Sequence, residues 1–262
     1  MTSTNKIARA ALVTGAGKRL GRAMALALGA DGFDVAVHYN TSRKDADDVV
    51  ASIKSQGGRA AAISADLSDE TATAGLVDAA AKALGRPLSL LINSASLFEN
   101  DEIQSMTRAS WDAHLNTNLR APILLSQKFA AQAQSEASAG RDALIIHLID
   151  QRALKLTPQF FSYTLSKAAL HSATKTMAQA LAPRGVRVNA IGPGPTLRNP
   201  RQSEEDWQAQ NAATIMGRGA TPDDIVAAMR YLIGATPVTG QMIAVDGGQH
   251  LGWETPDALV KE

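Results

Sequence analysis

The sequence predicts an α/β fold in which helices cover both faces of a seven-stranded, mostly parallel sheet. Short apolar runs alternate with longer alanine-rich segments of helical period almost to the end of the chain. The apolar runs are nearly continuous, which is typical of parallel strands buried on both faces. No tract rich in proline, glycine or serine separates two regimes of composition. These observations favour one doubly wound, Rossmann-type domain over residues 1–262.

Seven apolar runs are the predicted strands: Ala8–Val13, Asp34–Tyr39, Arg59–Ala65, Leu88–Asn93, Ala143–Ile149, Arg187–Ile191 and Gln241–Val245. Six patterns of helical period lie between them: Leu20–Ala30, Lys44–Gln56, Ala72–Leu84, Trp111–Ser138, Tyr163–Ala182 and Asp223–Ile233. Ser42 and Thr221 each precede an Asp by three residues, as N-terminal caps do, and Gly185 follows a predicted helix end. The irregular segment 192–219 is predicted to be a substrate-covering loop at the carboxyl ends of the strands.

Composition excludes several classes of protein. With 45% apolar and 19% charged residues, the 262-residue chain is not disordered or fibrous. A net charge of +1 provides no long-range attraction to nucleic acid or an anionic membrane. The chain has no cysteine, no apolar run long enough to span a membrane, and no histidine paired with carboxylates at metal-ligand spacing. We therefore expect a cytoplasmic protein without a metal site.

A glycine-rich turn joins the first predicted strand to the first helix: Thr14-Gly15-Ala16-Gly17-Lys18-Arg19-Leu20-Gly21. Glycines let a backbone approach a diphosphate closely, and a helix N-terminus offers unpaired N–H groups to it. The third glycine falls one position later than in Gly-x-Gly-x-x-Gly, and no Gly-Lys-Ser/Thr ends the turn. The turn is therefore predicted to bind a dinucleotide through a variant motif, not through a P-loop.

The second predicted strand ends without a carboxylate, in the run His38-Tyr39-Asn40-Thr41-Ser42-Arg43. Enzymes that use NAD usually hold the ribose 2′-hydroxyl with an Asp or Glu at this place, whereas a 2′-phosphate favours a cation. Lys18 and Arg43 are the candidate cations, and the hydroxyls of Thr41 and Ser42 are candidate donors. The sequence therefore favours NADPH as the cofactor.

Tyr163 and Lys167 lie four residues apart at the start of an apolar predicted helix, and so share one helical face. A cation beside a phenol is expected to lower the phenol pKa and make it a better proton donor. Asp150 stands 13 residues before Tyr163, at the tip of a predicted central strand. Since a buried carboxylate is costly, its placement there indicates a functional role.

At these positions the chain resembles the short-chain dehydrogenase/reductases, over nearly its whole length. The resemblance implies that Asp66 and Leu67 contact adenine, that Asn93, Ser94 and Ala95 form a cofactor-contacting strand end, and that Asn118 is the helix asparagine. It assigns Tyr163 and Lys167 as the active-site pair. It also implies that Pro193, Gly194 and Thr196 hold the nicotinamide carboxamide, and it implies a homotetramer.

Three residues differ from most of that family and resemble its pteridine reductases and dihydromonapterin or dihydrofolate reductases. Arg19 replaces a glycine, Asp150 replaces a serine, and Phe98 follows Asn93 by five residues. Ser94 and Leu97 differ from that branch. The branch implies a flat pterin between the nicotinamide and Phe98, with Asp150 on its ring edge. Arg19, Ser96, Phe98, Asp150 and Tyr163 are therefore the predicted substrate-binding residues.

The predicted reaction is hydride transfer from NADPH to a C=N carbon of a dihydropterin or dihydrofolate, with Tyr163 as proton donor. Lys167 lowers the phenol pKa and binds ribose hydroxyls, Asn118 holds a water that leads to Lys167, and Asp150 orients the ring or shares the proton relay. The predicted cofactor contacts are Gly15, Gly17, Lys18, Arg19, Leu20, Gly21, His38, Asn40, Thr41, Ser42, Asp66, Leu67, Asn93, Ser94, Ala95, Tyr163, Lys167, Pro193, Gly194 and Thr196.

Two other functions remain open from the sequence. One is a carbonyl or 3-oxoacyl reductase on the same fold, in which Asp150 only replaces serine as a hydrogen-bonding group. The other is a non-catalytic NADP-binding sensor or scaffold, which would bind the cofactor without turnover. A sensor would have no need of the Asn118, Tyr163 and Lys167 set.

Overall fold

The computed structural model describes residues 9–137 and 142–255. The strands are β1 (Arg9–Val13), β2 (Phe33–Tyr39), β3 (Ala60–Ser64), β4 (Leu90–Asn93), β5 (Ala143–Leu148), β6 (Val186–Pro193) and β7 (Met242–Val245). The α-helices are α1 (Arg19–Ala30), α2 (Arg43–Ser55), α3 (Glu70–Leu84), α4 (Arg108–Leu115), α5 (Ala121–Ala137), α6 (Phe161–Leu181), α7 (Glu204–Ala212) and α8 (Pro222–Gly234). The predicted strand residue Ala8 and helix residue Ser138 lie outside the described residues.

The strands form one sheet in the order β3-β2-β1-β4-β5-β6-β7. Every neighbouring pair among these strands is parallel, so the predicted α/β class and seven-stranded sheet are confirmed. Strand order reverses between β1 and β4. In open parallel sheets a crevice forms at this reversal, outside the carboxyl ends of the strands.

Helices cover both faces of the sheet, because neighbouring residues of a strand point to opposite sides. Leu90 and Ile92 of β4 belong to the core that includes Met24 of α1 and residues of α2 and α8. Leu91, between them, belongs to the core that includes Phe129 of α5 and residues of α3 and α6. Each large apolar side chain buried this way contributes about 1.5–3 kcal/mol to stability. The two cores hold the strand ends rigidly under the crevice.

The helix predicted over Trp111–Ser138 is in fact two helices joined by a wider π-helical turn, Asn116–Arg120. Pro122 follows this turn and has no N–H with which to continue an α-helical ladder. The helix also begins earlier than predicted, because the Thr107 hydroxyl accepts the Ser110 N–H at 3.1 Å. Periodicity cannot show such an insertion, and π-turns often mark functional positions.

The segment 192–219 is not wholly irregular, because it contains α7. The Ser203 hydroxyl caps this helix by accepting the Asp206 N–H at 3.0 Å. Acidic residues in its first turn suit the positive end of the helix dipole. The helix buries none of its residues and therefore has no apolar stripe that a period search could detect.

Two of the three predicted helix-end signals are confirmed. Thr221 and Asp224 form a reciprocal capping box at α8, and Gly185 adopts a left-handed conformation with φ of +70°. Ser42 does stand at the N-cap position of α2, but its side chain makes no capping bond, so this signal is confirmed in position only. The Asp45 carboxylate instead lies 3.1 Å from the Lys18 ammonium. Among the helices described, none is both long and apolar enough to cross a membrane.

Candidate active site

A cleft of about 1260 Å³ opens at the carboxyl ends of β1, β4, β5 and β6. Most of the predicted site residues line it: Gly15, Gly17, Lys18, Arg19, Leu20, Gly21, His38, Asn40, Thr41, Ser42, Asp66, Leu67, Ser94, Ala95, Ser96, Phe98, Asp150, Tyr163, Lys167, Pro193, Gly194 and Thr196. Asn93 and Asn118 do not line the cleft and are buried behind its wall. One continuous cleft is therefore lined by both the glycine turn and the region around Asp150.

The glycine turn needs two of its glycines for packing. Gly15 has φ of +63°, and a Cβ there would lie 2.9 Å from the Ala95 Cα. A Cβ on Gly21 would lie 2.3 Å from the Gly15 carbonyl oxygen. No side chain caps the start of α1, so its first N–H groups and the positive end of its dipole are available to an anion. The turn therefore fits a diphosphate.

The His38 side chain holds the glycine turn in position through the Gly15 backbone. Its Nδ1 accepts the Gly15 N–H at 3.1 Å, and its Nε2 lies 3.0 Å from the Ala65 carbonyl oxygen, to which it donates. Burial lowers the pKa of His38, so the ring stays neutral with its proton on Nε2. Both ring nitrogens are thus used within the protein. The ring can reach a cofactor only by packing, and its main effect is to orient the Gly15 backbone.

The two candidate cations for a 2′-phosphate differ in position. Lys18 lines the cleft, next to the wall formed by Asn40, Thr41 and Ser42, although it is paired with Asp45. Arg43 pairs with Asp47 at 3.5 Å and is not part of the cleft lining. Both ion pairs are exposed and therefore weak. The structure leaves Lys18 as the better placed of the two.

Asp66 and Leu67, which the sequence predicts to contact adenine, also line the cleft. One oxygen of the Asp66 carboxylate accepts both the N–H and the hydroxyl of Ser68, at 2.9 and 2.7 Å. These hydrogen bonds lower the pKa of Asp66. The carboxylate is thus ionised and held in one orientation at the rim of the cleft.

The strand ends beneath the cleft are tied together by polar side chains. The Thr14 hydroxyl accepts the N–H groups of Ser94 and Ala95, at 2.9 and 3.0 Å. Asn93 Nδ2 lies 3.1 Å from Nδ1 of His147, whose pKa burial lowers to about 3. Asn93 is therefore placed to hold the β4 end against β5, and the residues after it form the cleft wall.

Asp150, Tyr163 and Lys167 converge at the end of β5. The Tyr163 hydroxyl donates to Asp150 Oδ2 at 2.9 Å, and Asp150 Oδ1 accepts the Arg152 N–H at 2.8 Å. The Lys167 ammonium donates to the Leu148 carbonyl at 2.8 Å and lies 5.7 Å from the centre of the Tyr163 ring. Tyr163 and Lys167 are almost fully buried. Asp150 and Tyr163 are thus hydrogen-bonded to each other, Lys167 is held beside them by a main-chain carbonyl, and all three line the cleft.

The expectation that Lys167 lowers the Tyr163 pKa is wrong for this arrangement. Burial, followed by the charge of Asp150, raises the pKa of Tyr163 well above its ordinary value. Burial also raises the pKa of Asp150 and lowers that of Lys167 to about 8. The phenol therefore stays protonated and donates a hydrogen bond to Asp150. Desolvation makes the Asp150 carboxylate a stronger base than usual.

Asn118 lies in the π-helical turn, where its amide makes four hydrogen bonds. Its Oδ1 accepts from the Leu97 N–H at 2.8 Å and the Ser96 hydroxyl at 3.2 Å. Its Nδ2 donates to the Leu97 carbonyl at 2.9 Å and the Ser166 hydroxyl at 3.2 Å. Asn118 thereby joins the wall that precedes Phe98 to the helix that carries Tyr163.

Phe98 lies against a second aromatic ring that the sequence reading missed. Its ring stacks on Phe160 with centroids 4.2 Å apart and meets the edge of Tyr163 at 4.6 Å. Phe160 precedes α6 with φ of +53°, and its N–H donates to Asn100 Oδ1 at 3.2 Å. Phe160 lies three residues before Tyr163 in a chain with few aromatic residues, and this position could have indicated that it belongs to the site.

Two arginines join the cleft walls to the segment 192–219. Arg19 donates to the carbonyls of Leu197 and Arg198, at 2.8 and 3.0 Å. Arg201 donates to the Phe98 carbonyl at 2.6 Å and pairs with Glu99. Arg19 has φ of +50°, a conformation that glycine adopts without strain. The arginine thus adds two hydrogen bonds to the segment 192–219 at a position whose backbone conformation favours glycine.

The end of β6 forms the remaining wall through Pro193, Gly194 and Thr196. A Cβ on Gly194 would lie 2.5 Å from the Asp246 Cβ, so packing against the segment after β7 requires glycine there. The Thr196 hydroxyl donates to the Gly194 carbonyl at 3.0 Å. Within the ranges that the structure covers, no cluster of His, Asp and Glu is arranged to hold a metal ion.

Comparisons with known proteins agree with this architecture. A family model described as enoyl-(acyl carrier protein) reductase matches residues 15–250. The crystal structure of FolM alternative dihydrofolate reductase 1 from Brucella canis, complexed with NADP, superposes with a TM-score of 0.90. It is 43% identical and covers 95% of this chain and 96% of that one. The Brucella suis FolM structure with NADP is also 43% identical, with a TM-score of 0.89 and coverage of 95% and 98%.

The chain is also similar to a different kind of reductase. It is 30% identical over 250 residues to 3-oxoacyl-[acyl-carrier-protein] reductase FabG of Staphylococcus aureus. That match covers 94% of this chain and 100% of the relative.

Proposed function

Because the chain belongs to the short-chain dehydrogenase/reductase family and is an oxidoreductase, we propose that it reduces a C=N bond of a dihydropterin or dihydrofolate. NADPH is the proposed hydride donor, and the product is the tetrahydro compound. The observation that carries the substrate assignment is the 2.9 Å hydrogen bond between the Tyr163 hydroxyl and Asp150. The 43% identity to two FolM alternative dihydrofolate reductases supports the same assignment.

The cleft has a suitable site for each of the two phosphate-bearing parts of NADPH, the diphosphate and the 2′-phosphate. The uncapped start of α1 accepts the diphosphate. Lys18, Thr41 and Ser42 line the cleft as candidate donors to a 2′-phosphate, and the run Asn40-Thr41-Ser42-Arg43 after β2 lacks the carboxylate that would hold a free 2′-hydroxyl. The NADP held by both FolM structures supports this choice of cofactor. The remaining proposed cofactor contacts are Gly15, Gly17, Arg19, Leu20, Gly21, His38, Asn40, Asp66, Leu67, Ser94, Ala95, Tyr163, Lys167, Pro193, Gly194 and Thr196. The sequence also predicts that Asn93 contacts the cofactor, but Asn93 is buried behind the cleft wall.

When bound, NADPH supplies the hydride, and the protein supplies position and a proton. Reduction of C=N requires a proton at nitrogen as the hydride reaches carbon. The Tyr163 phenol carries a proton at the cleft wall and uses it to donate a hydrogen bond to the Asp150 carboxylate. We assign the pair as the proton source. Because the carboxylate also binds the N–H and amino edge of the ring, the proton passes to the C=N nitrogen through water. Lys167 places a positive charge next to this pair. Asn118 holds the wall around Leu97 against α6, which carries Tyr163.

The carboxylate favours a pterin over a ketone for a chemical reason. A pterin ring presents adjacent N–H and amino donors on one edge, and the oxygens of a carboxylate accept from both. A ketone presents only an acceptor, which needs a donor such as the serine hydroxyl usual in the family. The exposed part of Phe98 adds a flat surface for a ring, with stacking worth about 0.5–1.5 kcal/mol beyond burial. Arg19 and Ser96 complete the proposed substrate contacts.

Reduction of a 3-oxoacyl thioester is the second candidate, favoured by the similarity to FabG and by the description of the matching family model. In that case Asp150 would act only as a polar neighbour of Tyr163. Such an enzyme should keep its activity when Asp150 is replaced by serine. A non-catalytic NADP-binding protein would bind NADPH and turn over neither class of substrate.

The test is a comparison of kcat/KM, followed by NADPH absorbance, for dihydrobiopterin, dihydromonapterin, dihydrofolate and a 3-oxoacyl thioester. We expect the pterins to exceed the thioester, and Tyr163→Phe to lose about 10²- to 10⁴-fold of that activity. A preference for the thioester would overturn the substrate assignment. Binding of NADPH without any turnover would overturn the assignment as an enzyme.

The assembly is proposed from the family resemblance, and the location from the composition of the chain. We propose a homotetramer in the cytoplasm, with no nucleic-acid or membrane partner. Light scattering at several protein concentrations tests the assembly, and a monomer throughout would contradict it.

A further inference from the structure

Three arginines line the cleft, and two of them are held by protein acceptors. Arg19 donates to two main-chain carbonyls, and Arg201 donates to a carbonyl and pairs with the Glu99 carboxylate. Arg152 differs from both. Its guanidinium donates to the hydroxyl of Thr157 at 2.6 Å, and among the described residues we find no salt bridge to it.

A guanidinium has five N–H donors in a planar fork, so most of the Arg152 donors have no partner in the part of the chain that the structure covers. The side chain is half-buried, and a partly desolvated cation favours an anion at hydrogen-bonding distance. A carboxylate matches the fork best, because two parallel N–H···O bonds form at once. Arg152 therefore has the chemistry of an unfilled carboxylate site.

The guanidinium lies against two aromatic rings and close enough to Asp150 for its charge to lower the pKa of that carboxyl, without forming a salt bridge to it. Its central carbon lies 5.0 Å from the centre of the Phe160 ring and 6.0 Å from that of Phe98. A cation over an aromatic face is stabilised by the ring quadrupole. Its main chain is fixed as well, since the Arg152 N–H donates to Asp150. The donors are thus pre-oriented at the cleft wall, which reduces the ordering cost of binding a ligand there.

The location separates this site from the anionic groups of a cofactor. Diphosphate and 2′-phosphate fit the glycine turn and the Lys18 end, which lie beyond β1 and β2. Arg152 lies beyond β5, two residues after Asp150 and beside Phe98. An anion at Arg152 would therefore belong to the molecule that meets Asp150 and Tyr163.

We propose that Arg152 binds a carboxylate on the side arm of the substrate, so that the enzyme favours folate-type dihydropterins over those with neutral hydroxyalkyl arms. This inference rests on the proposed function, because it takes the ring to lie at Asp150. Arg152 is a specificity residue in this account and takes no part in proton transfer.

The experiment compares dihydrofolate with dihydrobiopterin in the full-length enzyme and in Arg152→Gln, Arg152→Lys and Arg108→Gln. Arg108 is a matched control, because it is exposed and pairs with Asp112 on the surface, so its loss changes the net charge equally. Arg152→Gln should lower kcat/KM for dihydrofolate about 10- to 100-fold, which corresponds to about 1.4–2.8 kcal/mol. It should leave dihydrobiopterin within about threefold.

Arg152→Lys should fall between wild type and Arg152→Gln, because it keeps the charge and loses the planar fork. Because the Arg152 charge lowers the pKa of Asp150 and of Tyr163, Arg152→Gln should move the pH profile with dihydrobiopterin upward, whereas Arg152→Lys and Arg108→Gln should leave it in place. Equal losses for both pterins would overturn the proposal, since they would indicate a structural role or an effect on Asp150. Selective loss of 3-oxoacyl coenzyme A turnover would also overturn it, by assigning the anion to a phosphate.

A binding measurement keeps this inference separate from the proposed function. The enzyme loaded with NADP⁺ is titrated with folate and with biopterin, each followed by calorimetry. If no pterin is reduced, the proposed function fails, but a weaker Kd for folate alone in Arg152→Gln would still support the carboxylate site. If Arg152→Gln binds both ligands as the wild type does, the carboxylate site is refuted.

Discussion

The variant Asp150→Asn is expected to lower activity without lowering stability, because it changes the charge of the side chain and keeps its shape. Asn has the shape of Asp, so it can still accept the Arg152 N–H, which now lies 2.8 Å from Oδ1. It carries no charge, however, and cannot share a proton with the Tyr163 hydroxyl, now 2.9 Å from Oδ2. Loss of a positioned proton relay costs about 10²- to 10⁴-fold in rate. We expect kcat/KM for dihydropterins to fall by that factor.

The same variant should not lose stability near neutral pH. Burial raises the pKa of Asp150 above its value in the unfolded chain, so the folded state binds the proton more tightly. The group therefore stabilises the fold at low pH and loses that contribution as the pH rises through the folded-state pKa. Asn removes this loss. We expect the Tm of Asp150→Asn to match or exceed that of wild type near neutral pH, with the difference vanishing below about pH 4.

Two assays check this outcome. Thermal unfolding is measured across pH, and kcat/KM is measured with dihydrobiopterin and a 3-oxoacyl thioester for wild type, Asp150→Asn and Asp150→Ser. The serine variant introduces a hydroxyl that can donate to a ketone. A fall in Tm that parallels the loss of activity would refute the reasoning about the carboxyl. Full pterin turnover in Asp150→Ser would refute its role in proton transfer.

Three other residues carry separate expectations. Burial lowers the pKa of Lys167 to about 8, so its charge is lost above that pH and kcat/KM for NADPH should fall there. Lys167→Arg should move this limb to higher pH, and an unmoved limb would assign it to another group. Arg19→Gly relieves the strain of a left-handed arginine, about 1 kcal/mol, but loses two exposed hydrogen bonds to Leu197 and Arg198, so Tm should change little while the KM for NADPH increases. A fall in Tm would contradict this. His38→Leu leaves the Gly15 N–H and Ala65 carbonyl unpaired. It should cost about 1–3 kcal/mol in denaturant unfolding and weaken NADPH binding in calorimetry, and unchanged NADPH affinity would argue against His38 orienting the turn.

The sequence predicts the fold and the convergence of Asp150 with Tyr163 for the same reason. Parallel strands bring all their carboxyl ends to one edge, so a residue at the tip of β5 and the start of the next helix must lie near each other. Local signals also predict the glycine turn and the Thr221 capping box. These features depend on residues close in the chain or on strand direction alone.

The remaining features depend on contacts that spacing does not encode. The stacking of Phe160 on Phe98 requires a left-handed residue and hydrogen bonds to the segment after β4. The high pKa of Tyr163 comes from burial, which a four-residue spacing cannot reveal. The helix α7 has no buried face, so no hydrophobic period indicates it. The free donors of Arg152 become visible only when its neighbours in space are known.

The crystal structure of a complex with NADP⁺ and a dihydropterin tests the central claim most directly. The quantity to measure is the distance between the Asp150 carboxyl and the nearest ring nitrogen or amino group. We expect a hydrogen bond of about 2.7–3.2 Å, with the Tyr163 hydroxyl within reach of the nitrogen that is to be protonated. A ring bound elsewhere in the cleft, or a carboxyl turned away from it, would contradict the proposed reaction.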